Sequence, residues 1–260
     1  MQKKRHCYII KVQFLGFRYS GWQKQPGQKT VEGMIHKTLK FILPNISFKI
    51  LGAGRTDAKV SALQTAFEIF LEHPLPDMDA FLTDFNRNLP SDIKVLNCTP
   101  ISSDFNIIQD SKSKEYLYLF SYGQKNHPFC ASYLTNCIDE LDIDLMIKAA
   151  KLYEGTHDFR AYTAKPKANK KLVRTVDSCE ILENKILKAN FFPKKSYLLK
   201  VTGKGFMRYQ IRLMMGALMQ LGRGELGILD IKTSLEEGNT MQLNYVAPGS
   251  GLILHKIDFE

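Results

Sequence analysis

The sequence predicts an α+β protein built on largely antiparallel sheet, and three observations carry that prediction. Strand-like runs outnumber helical ones and several follow one another directly. The glycine fingerprint of a doubly wound nucleotide-binding fold is missing. A length of 260 residues fits one or two domains, and the rhythm of the first part recurs in the second without a sequence repeat. The expected division is a lobe of residues 1–104 followed by one of residues 105–260.

In chain order, Tyr8–Phe14 reads as a strand, with Tyr8, Ile10, Val12 and Phe14 on one face and Lys11 and Gln13 on the other. A glycine-rich stretch from Gly16 to Gly27 follows and holds the single tryptophan, Trp22. Thr30 is placed to cap a helix whose apolar residues Val31, Met34, Ile35, Leu39 and Ile42 fall at helical spacing, and Pro44 stops it. Phe48–Leu51, Thr65–Leu71 and Ile93–Asn97 read as strands, and Asp79–Asn86 as a helix.

In the second part Glu115–Tyr122 is a strong strand, and Asp142–Tyr153 a helix that closes on Gly155. Val176–Leu182, Lys185–Phe191 and Tyr197–Thr202 read as a strand meander. Phe206–Leu221 reads as a long apolar helix ended by Gly222, and Lys165–Lys171 as a mobile loop.

Composition bounds the function. At 44% hydrophobic and 24% charged residues the chain is an ordinary globular protein. Five cysteines in no C-x-x-C pair indicate neither a zinc cluster nor a disulfide framework, and point to a reducing compartment. No apolar run approaches the roughly 18 residues that span a bilayer. The basic start, Met1–His6, leads into a strand rather than a signal-peptide core. The formal charge is +10 and uneven: between Arg160 and Glu225 fifteen Lys and Arg stand against four Asp and Glu, a local excess of +11. Such an excess is either a footprint for a polyanion or a solvated lysine surface.

Three stretches hold chemistry-bearing residues. Gly54-Arg55-Thr56-Asp57 lies between two strands, so Asp57 sits in a loop at a sheet end, where it caps the following turn or faces a ligand. On the strand at 115–122, Tyr116, Tyr118, Phe120 and Tyr122 share one face, either as core or as a surface for a base to stack on. Tyr116, nearest a loop, is the exception to core. Arg208 and Arg212 are spaced as i, i+4 neighbours on the apolar helix, and Arg212 there needs a carboxylate or phosphate partner unless it forms a surface ion pair.

Taken in order, these stretches and four more resemble the TruA family of tRNA pseudouridine synthases. Gly21-Trp22-Gln23-Lys24-Gln25 is similar to its N-terminal G-W-Q-x-Q, and Gly54-Arg55-Thr56-Asp57 to its most specific signature, G-R-T-D. Asn88-Leu89-Pro90, Gly155-Thr156-His157-Asp158-Phe159 and Gly251-Leu252 match further landmarks, and Tyr116 and Arg212 stand where the family keeps its tyrosine and its helix arginine. The resemblance implies isomerisation of uridine to pseudouridine in the tRNA anticodon stem-loop, at about positions 38–40. It implies the pseudouridine synthase fold: two ferredoxin/RRM-like lobes forming a central mixed, largely antiparallel sheet flanked by helices. It further implies a cytoplasmic homodimer that acts on tRNA and needs no cofactor or metal. Asp57 would be the nucleophile, Tyr116 would stack on the uracil, Arg212 would pair with Asp57, and Arg55 and Arg208 would bind substrate.

The chain departs from the family pattern in three places. Lys59 and Ser61 stand where relatives usually have Gly and His. Leu15 precedes Gly16 where relatives carry an aspartate. Phe105-Asn106-Ile107-Ile108 replaces Phe-x-x-Arg. Two alternatives follow: a tRNA-binding or folding protein without catalysis, and a synthase for another RNA site.

Overall fold

The computed structural model describes residues 6–164 and 172–259, and its α+β architecture agrees with the class read from the sequence. The stretch Lys165–Lys171 lies outside the described residues. Contacts divide the chain into two compact units, residues 1–112 with 254–260, and residues 113–253.

In the first unit, β1 (His6–Phe14), β2 (Phe48–Gly52), β3 (Ser61–Leu71) and β4 (Ile93–Ile101) pair antiparallel in the order β4-β1-β3-β2. The alternation of β1 decides this register. Tyr8, Ile10 and Val12 lie opposite Ile69, Phe67 and Thr65, and all six side chains are buried. A slip of one residue would exchange that set with the one on the other face, which carries Cys7, Ile9 and Lys11. Helix α1 (Val31–Ile42) starts as the sequence predicts: the Thr30 hydroxyl accepts from the Gly33 N–H, and Val31, Ile35 and Leu39 are buried along one stripe. Helix α2 (Met78–Asn88) is capped by Asp77, which accepts from the Asp79 and Ala80 N–H groups. Its Phe81 and Phe85, one turn apart, meet with their rings tilted at 49° and 5.5 Å between centroids. Each such buried side chain contributes about 1.5–3 kcal/mol.

The second unit holds β5 (Ser113–Ser121), β6 (Thr135–Asn136), α3 (Ile143–Ala150), β7 (Gly155–Asp158), β8 (Val173–Val176), β9 (Ser178–Glu183), β10 (Tyr197–Gly203), α4 (Gln210–Gly222) and α5 (Ile228–Ser234). The strand order is β5-β10-β9, antiparallel, with β6 added parallel on β5 and a separate β7-β8 hairpin. Leu117, Tyr118, Leu119 and Phe120 of β5 are buried on both faces, as is nearly all of α4. Strand β11 (Leu252–Asp258) begins in the second unit and ends in the first, where Lys112 donates to the Asp258 carbonyl at 2.9 Å and Phe105 meets Phe259.

Two sequence expectations need correction. Lys185–Phe191 is not a strand: β9 and β10 pair with each other directly, and the residues between them loop out. Asn184 causes this, because its side-chain oxygen accepts from the Ile186 and Leu187 N–H groups and closes an Asx turn where a third strand was expected. Phe206–Tyr209 is not helical either: α4 begins at Gln210, after Tyr209 turns left-handed with φ 67°. Arg208 therefore lies in the turn before the helix, and Arg208 and Arg212 are not i, i+4 neighbours on it.

One buried acid stands out in the first unit. Glu68 of β3 is 1% exposed, accepts from the Ile107 backbone N–H, and has an Oε1 with no hydrogen-bond partner among the described residues. Burial pushes its carboxyl up, with nearby Asp110 adding to the shift and the Ile107 bond opposing it. A raised folded-state pKa stabilises the fold in full below the unfolded value, and that contribution is lost as pH rises through the folded value. Glu68→Gln should therefore raise stability at pH 8 by about 1 kcal/mol, and give no gain at pH 4. Urea unfolding at the two pH values measures both.

Candidate active site

The loop that carries Asp57 runs between β2 and β3, and the preceding glycine-rich segment holds it through its backbone. The Trp22 N–H donates to the Thr56 carbonyl at 3.1 Å, and the Lys59 N–H to the Tyr19 carbonyl at 3.0 Å. Within the loop the Val60 N–H donates to the Asp57 carbonyl, closing a turn over Ala58 and Lys59. The two segments approach too closely for side chains at two positions. A Cβ on Gly16 would stand 1.9 Å from the Val60 carbonyl oxygen, and one on Gly21, whose φ is +101°, 2.6 Å from that of Thr56. Trp22 fixes the same segment from below, 3% exposed and packed on Phe14 and Phe67.

A carboxylate outside both segments anchors the glycine-rich one. Asp92 takes the Tyr19 hydroxyl at 2.6 Å on one oxygen and the Arg18 guanidinium at 2.7 and 2.9 Å on the other, while its carbonyl accepts from the Leu15 N–H. Burial alone would raise the Asp92 pKa, but the Tyr19 and Arg18 hydrogen bonds outweigh it and hold the carboxyl below the usual range. Asp92, two positions after the Asn88-Leu89-Pro90 landmark, thereby ties its part of the chain to the glycine-rich segment.

The departures beside Asp57 now have a physical reading. Lys59 lies in the left-handed region with φ 66°, where glycine is at ease and lysine costs about 1 kcal/mol. Its ammonium lies 5.6 Å from the Phe17 ring centroid. The Ser61 hydroxyl accepts from the Gly16 N–H at 2.9 Å, adding a further tie to the glycine segment. Arg55 is exposed and Asp57 half-buried.

The remaining candidates lie in the second unit. Tyr116 is partly exposed near the start of β5, with its ring edge-on to Phe206 at 5.4 Å, whereas Tyr118 and Phe120 are fully buried. The aromatic face thus divides: its middle is core and Tyr116 stands apart from it. Arg212, in the first turn of α4, is half-buried. Its Nε donates to the Ala247 carbonyl at 2.7 Å, and the Ala247 N–H donates back to the Arg212 carbonyl at 3.1 Å. One turn on, Gly216 lets the chain approach, since a Cβ there would stand 1.9 Å from the Tyr245 carbonyl. Below, the Tyr118 hydroxyl joins Thr135 and the Pro248 carbonyl, both at 2.8 Å. Burial pushes that phenol up, while the Thr135 hydrogen bond and then the Arg212 charge draw it back. Arg208 is exposed and shares the Tyr209 ring with Arg212. Asp92, Tyr19 and Tyr209 carry no signal in the sequence reading. Among the described residues no group of three His, Cys, Asp or Glu is arranged to hold a metal ion.

Comparison with known proteins decides the family. Residues 149–260 match the family described as tRNA pseudouridine synthase. The tRNA pseudouridine synthase A of Streptococcus agalactiae serotype Ia is 32% identical over 254 residues, covering 97% of this chain and 95% of its own length. The tRNA pseudouridine synthase A 2 of Bacillus cereus is 30% identical, covering 98% of this chain and 100% of its own. The tRNA pseudouridine synthase A of Bacillus sp. strain KSM-64 is 32% identical, covering 97% and 99%. The chain belongs to the tRNA pseudouridine synthase A family. It is accordingly an isomerase, and the resemblance read from its motifs is correct.

The strain at Lys59 gives a direct expectation. Lys59→Gly should raise the thermal unfolding midpoint, the backbone gain being about 1 kcal/mol and opposed in part by glycine's greater freedom in the unfolded chain. Differential scanning calorimetry of the two proteins reads it.

Proposed function

We propose that this protein isomerises uridine to pseudouridine in the anticodon stem-loop of tRNA, at about positions 38–40, with Asp57 as nucleophile. The observation that carries this reading is the bracing of the Asp57 loop through the glycine segment and Asp92, which fixes a carboxylate at one place on the surface of its unit.

The reaction breaks the bond between C1′ of the ribose and N1 of uracil, turns the base, and forms a bond from C1′ to C5. The C5 proton is lost and N1 gains one, so nothing is oxidised and no group is donated. An ionised carboxylate can attack the sugar or the base, and Asp57 is read in that role. Arg212 is read as its cationic partner, keeping the acid ionised. Tyr116 is read as the ring that stacks on the extruded uracil, which offsets unstacking by about 1–3 kcal/mol, and as a candidate to move the proton. The exposed Arg55 and Arg208 are read as backbone phosphate contacts, together with the basic residues between 160 and 225. Assembly as a homodimer and a cytoplasmic location belong to the same reading. Among the described residues no helix is long and apolar enough to cross a membrane.

The test is to incubate unmodified tRNA transcripts with the wild-type chain and with Asp57→Ala, then to map pseudouridine nucleotide by nucleotide. The expected result is product at about positions 38–40 with the wild type and none with Asp57→Ala, while tRNA binding by both remains strong and salt-dependent. Equal product from the two proteins would contradict the assignment of Asp57. Binding without product from the wild type would favour a role in tRNA folding, and product at another nucleotide would relocate the target.

A further inference from the structure

We propose that Tyr209 is a positioning residue that sets the orientation of the Arg212 guanidinium, an inference that rests on the reading of Arg212 as the partner of Asp57. Among the described residues only Lys59 and Tyr209 are non-glycine residues at positive φ. Lys59 is two positions after Asp57, and Tyr209 three positions before Arg212. Strain held at such points needs a compensating reason.

At Tyr209 the reason is visible. The residue directly before a helix is usually a small polar side chain in extended backbone that accepts from the first turn. Tyr209 instead has φ 67° and ψ 0°, and makes no side-chain cap. Its carbonyl still accepts from the Leu213 N–H at 2.8 Å, so the helix begins normally. The turn before it is closed twice: the Gln210 N–H donates to the Met207 carbonyl, and the Met207 N–H to the Gln210 side chain at 2.9 Å.

The left-handed backbone brings the Tyr209 ring to two cations. The Arg212 guanidinium carbon is 5.0 Å from the ring centroid and that of Arg208 4.9 Å, and Arg208 also donates to the Tyr209 hydroxyl at 3.2 Å. Both distances lie within the range of cation–π attraction. The Ala247 carbonyl takes the Nε of Arg212 and the Tyr209 ring lies under its guanidinium carbon, so the ring and the carbonyl both help to hold that guanidinium. The ring itself carries two like charges side by side. Glycine at 209 would relieve the backbone and lose the ring, which separates strain from function in one substitution.

The experiment compares Tyr209→Phe, Tyr209→Gly and Tyr209→Asn, with Asp57→Ala and Arg212→Lys as controls, by single-turnover and steady-state pseudouridine formation on a tRNA transcript. Tyr209→Phe should stay within about twofold of wild type, because the ring remains. Tyr209→Gly should lose about tenfold in kcat with little change in KM, while its melting temperature is not lowered. Tyr209→Asn, which tolerates left-handed backbone but has no ring, should show the same loss and serves where the glycine variant folds poorly. In an Arg212→Lys background the Tyr209→Gly change should cost nothing further, since its effect runs through Arg212.

Wild-type kcat in the two ringless variants would overturn the inference. So would a loss confined to KM, a Tyr209→Phe effect equal to that of Tyr209→Gly, or additive losses in the double variant. Full activity of Asp57→Ala would contradict the proposed function itself. An inactive Asp57→Ala beside a fully active Tyr209→Gly would contradict this inference alone.

Discussion

Two backbone hydrogen bonds, from Trp22 to Thr56 and from Lys59 to Tyr19, fix the position of Asp57, and much of the first unit serves them. A loop at a sheet end would ordinarily be mobile, and ordering it costs conformational entropy. Here the ordering is built into the fold. Gly16 and Gly21 allow the two segments to touch, Trp22 packs between Phe14 and Phe67, and Asp92 holds Tyr19 and Arg18 with a carboxylate whose charge those groups favour. The landmarks G-W-Q and G-R-T-D thus share a mechanical cause, because the Trp22 N–H to Thr56 carbonyl bond joins them, while Asp92, two positions after N-L-P, holds the segment before Trp22.

The second unit follows the same principle by other means. Its polypeptide from Tyr245 to Gly251 runs against α4 and β5: the Ala247 carbonyl accepts from the Arg212 side chain, the Ala247 N–H donates to the Arg212 carbonyl, and the Pro248 carbonyl accepts from Tyr118. Gly216 and Gly251 make that approach possible: a Cβ on Gly251 would meet Thr135 at 2.5 Å and the Leu119 carbonyl at 2.8 Å. In each unit a residue in left-handed backbone stands within three positions of a proposed site residue, Lys59 after Asp57 and Tyr209 before Arg212. Stability spent in this way close to a site is the usual trade between rigidity at the reacting groups and the relaxed conformation of the chain.

Much of this was legible in the sequence where the signal is local. Period-two alternation in Tyr8–Phe14 located β1, Thr30 and Pro44 bounded α1, and the position of Tyr116 at a strand end set it apart from its buried neighbours. Reading failed where backbone conformation outvotes composition. Phe206–Tyr209 is apolar enough to continue a helix, and nothing about a tyrosine announces a left-handed turn. Lys185–Phe191 has the composition of a strand, but the Asn184 side chain claims the backbone first. Contacts between distant positions were invisible for a different reason. Asp92 reaches Tyr19 across 73 positions, and the return of residues 254–260 to the first unit depends on the whole fold. Family resemblance supplied the candidate site residues, because the order of its motifs carries information that local pattern does not.

The account stands or falls on the rigidity of the Asp57 loop in the free protein. Hydrogen–deuterium exchange of the Trp22 and Lys59 amides measures it directly. Exchange as slow as that of the paired amides of β1 and β3 is the predicted result. Exchange at the rate of an open surface loop would contradict it, and would leave the bracing of Asp57 without a role in the free enzyme.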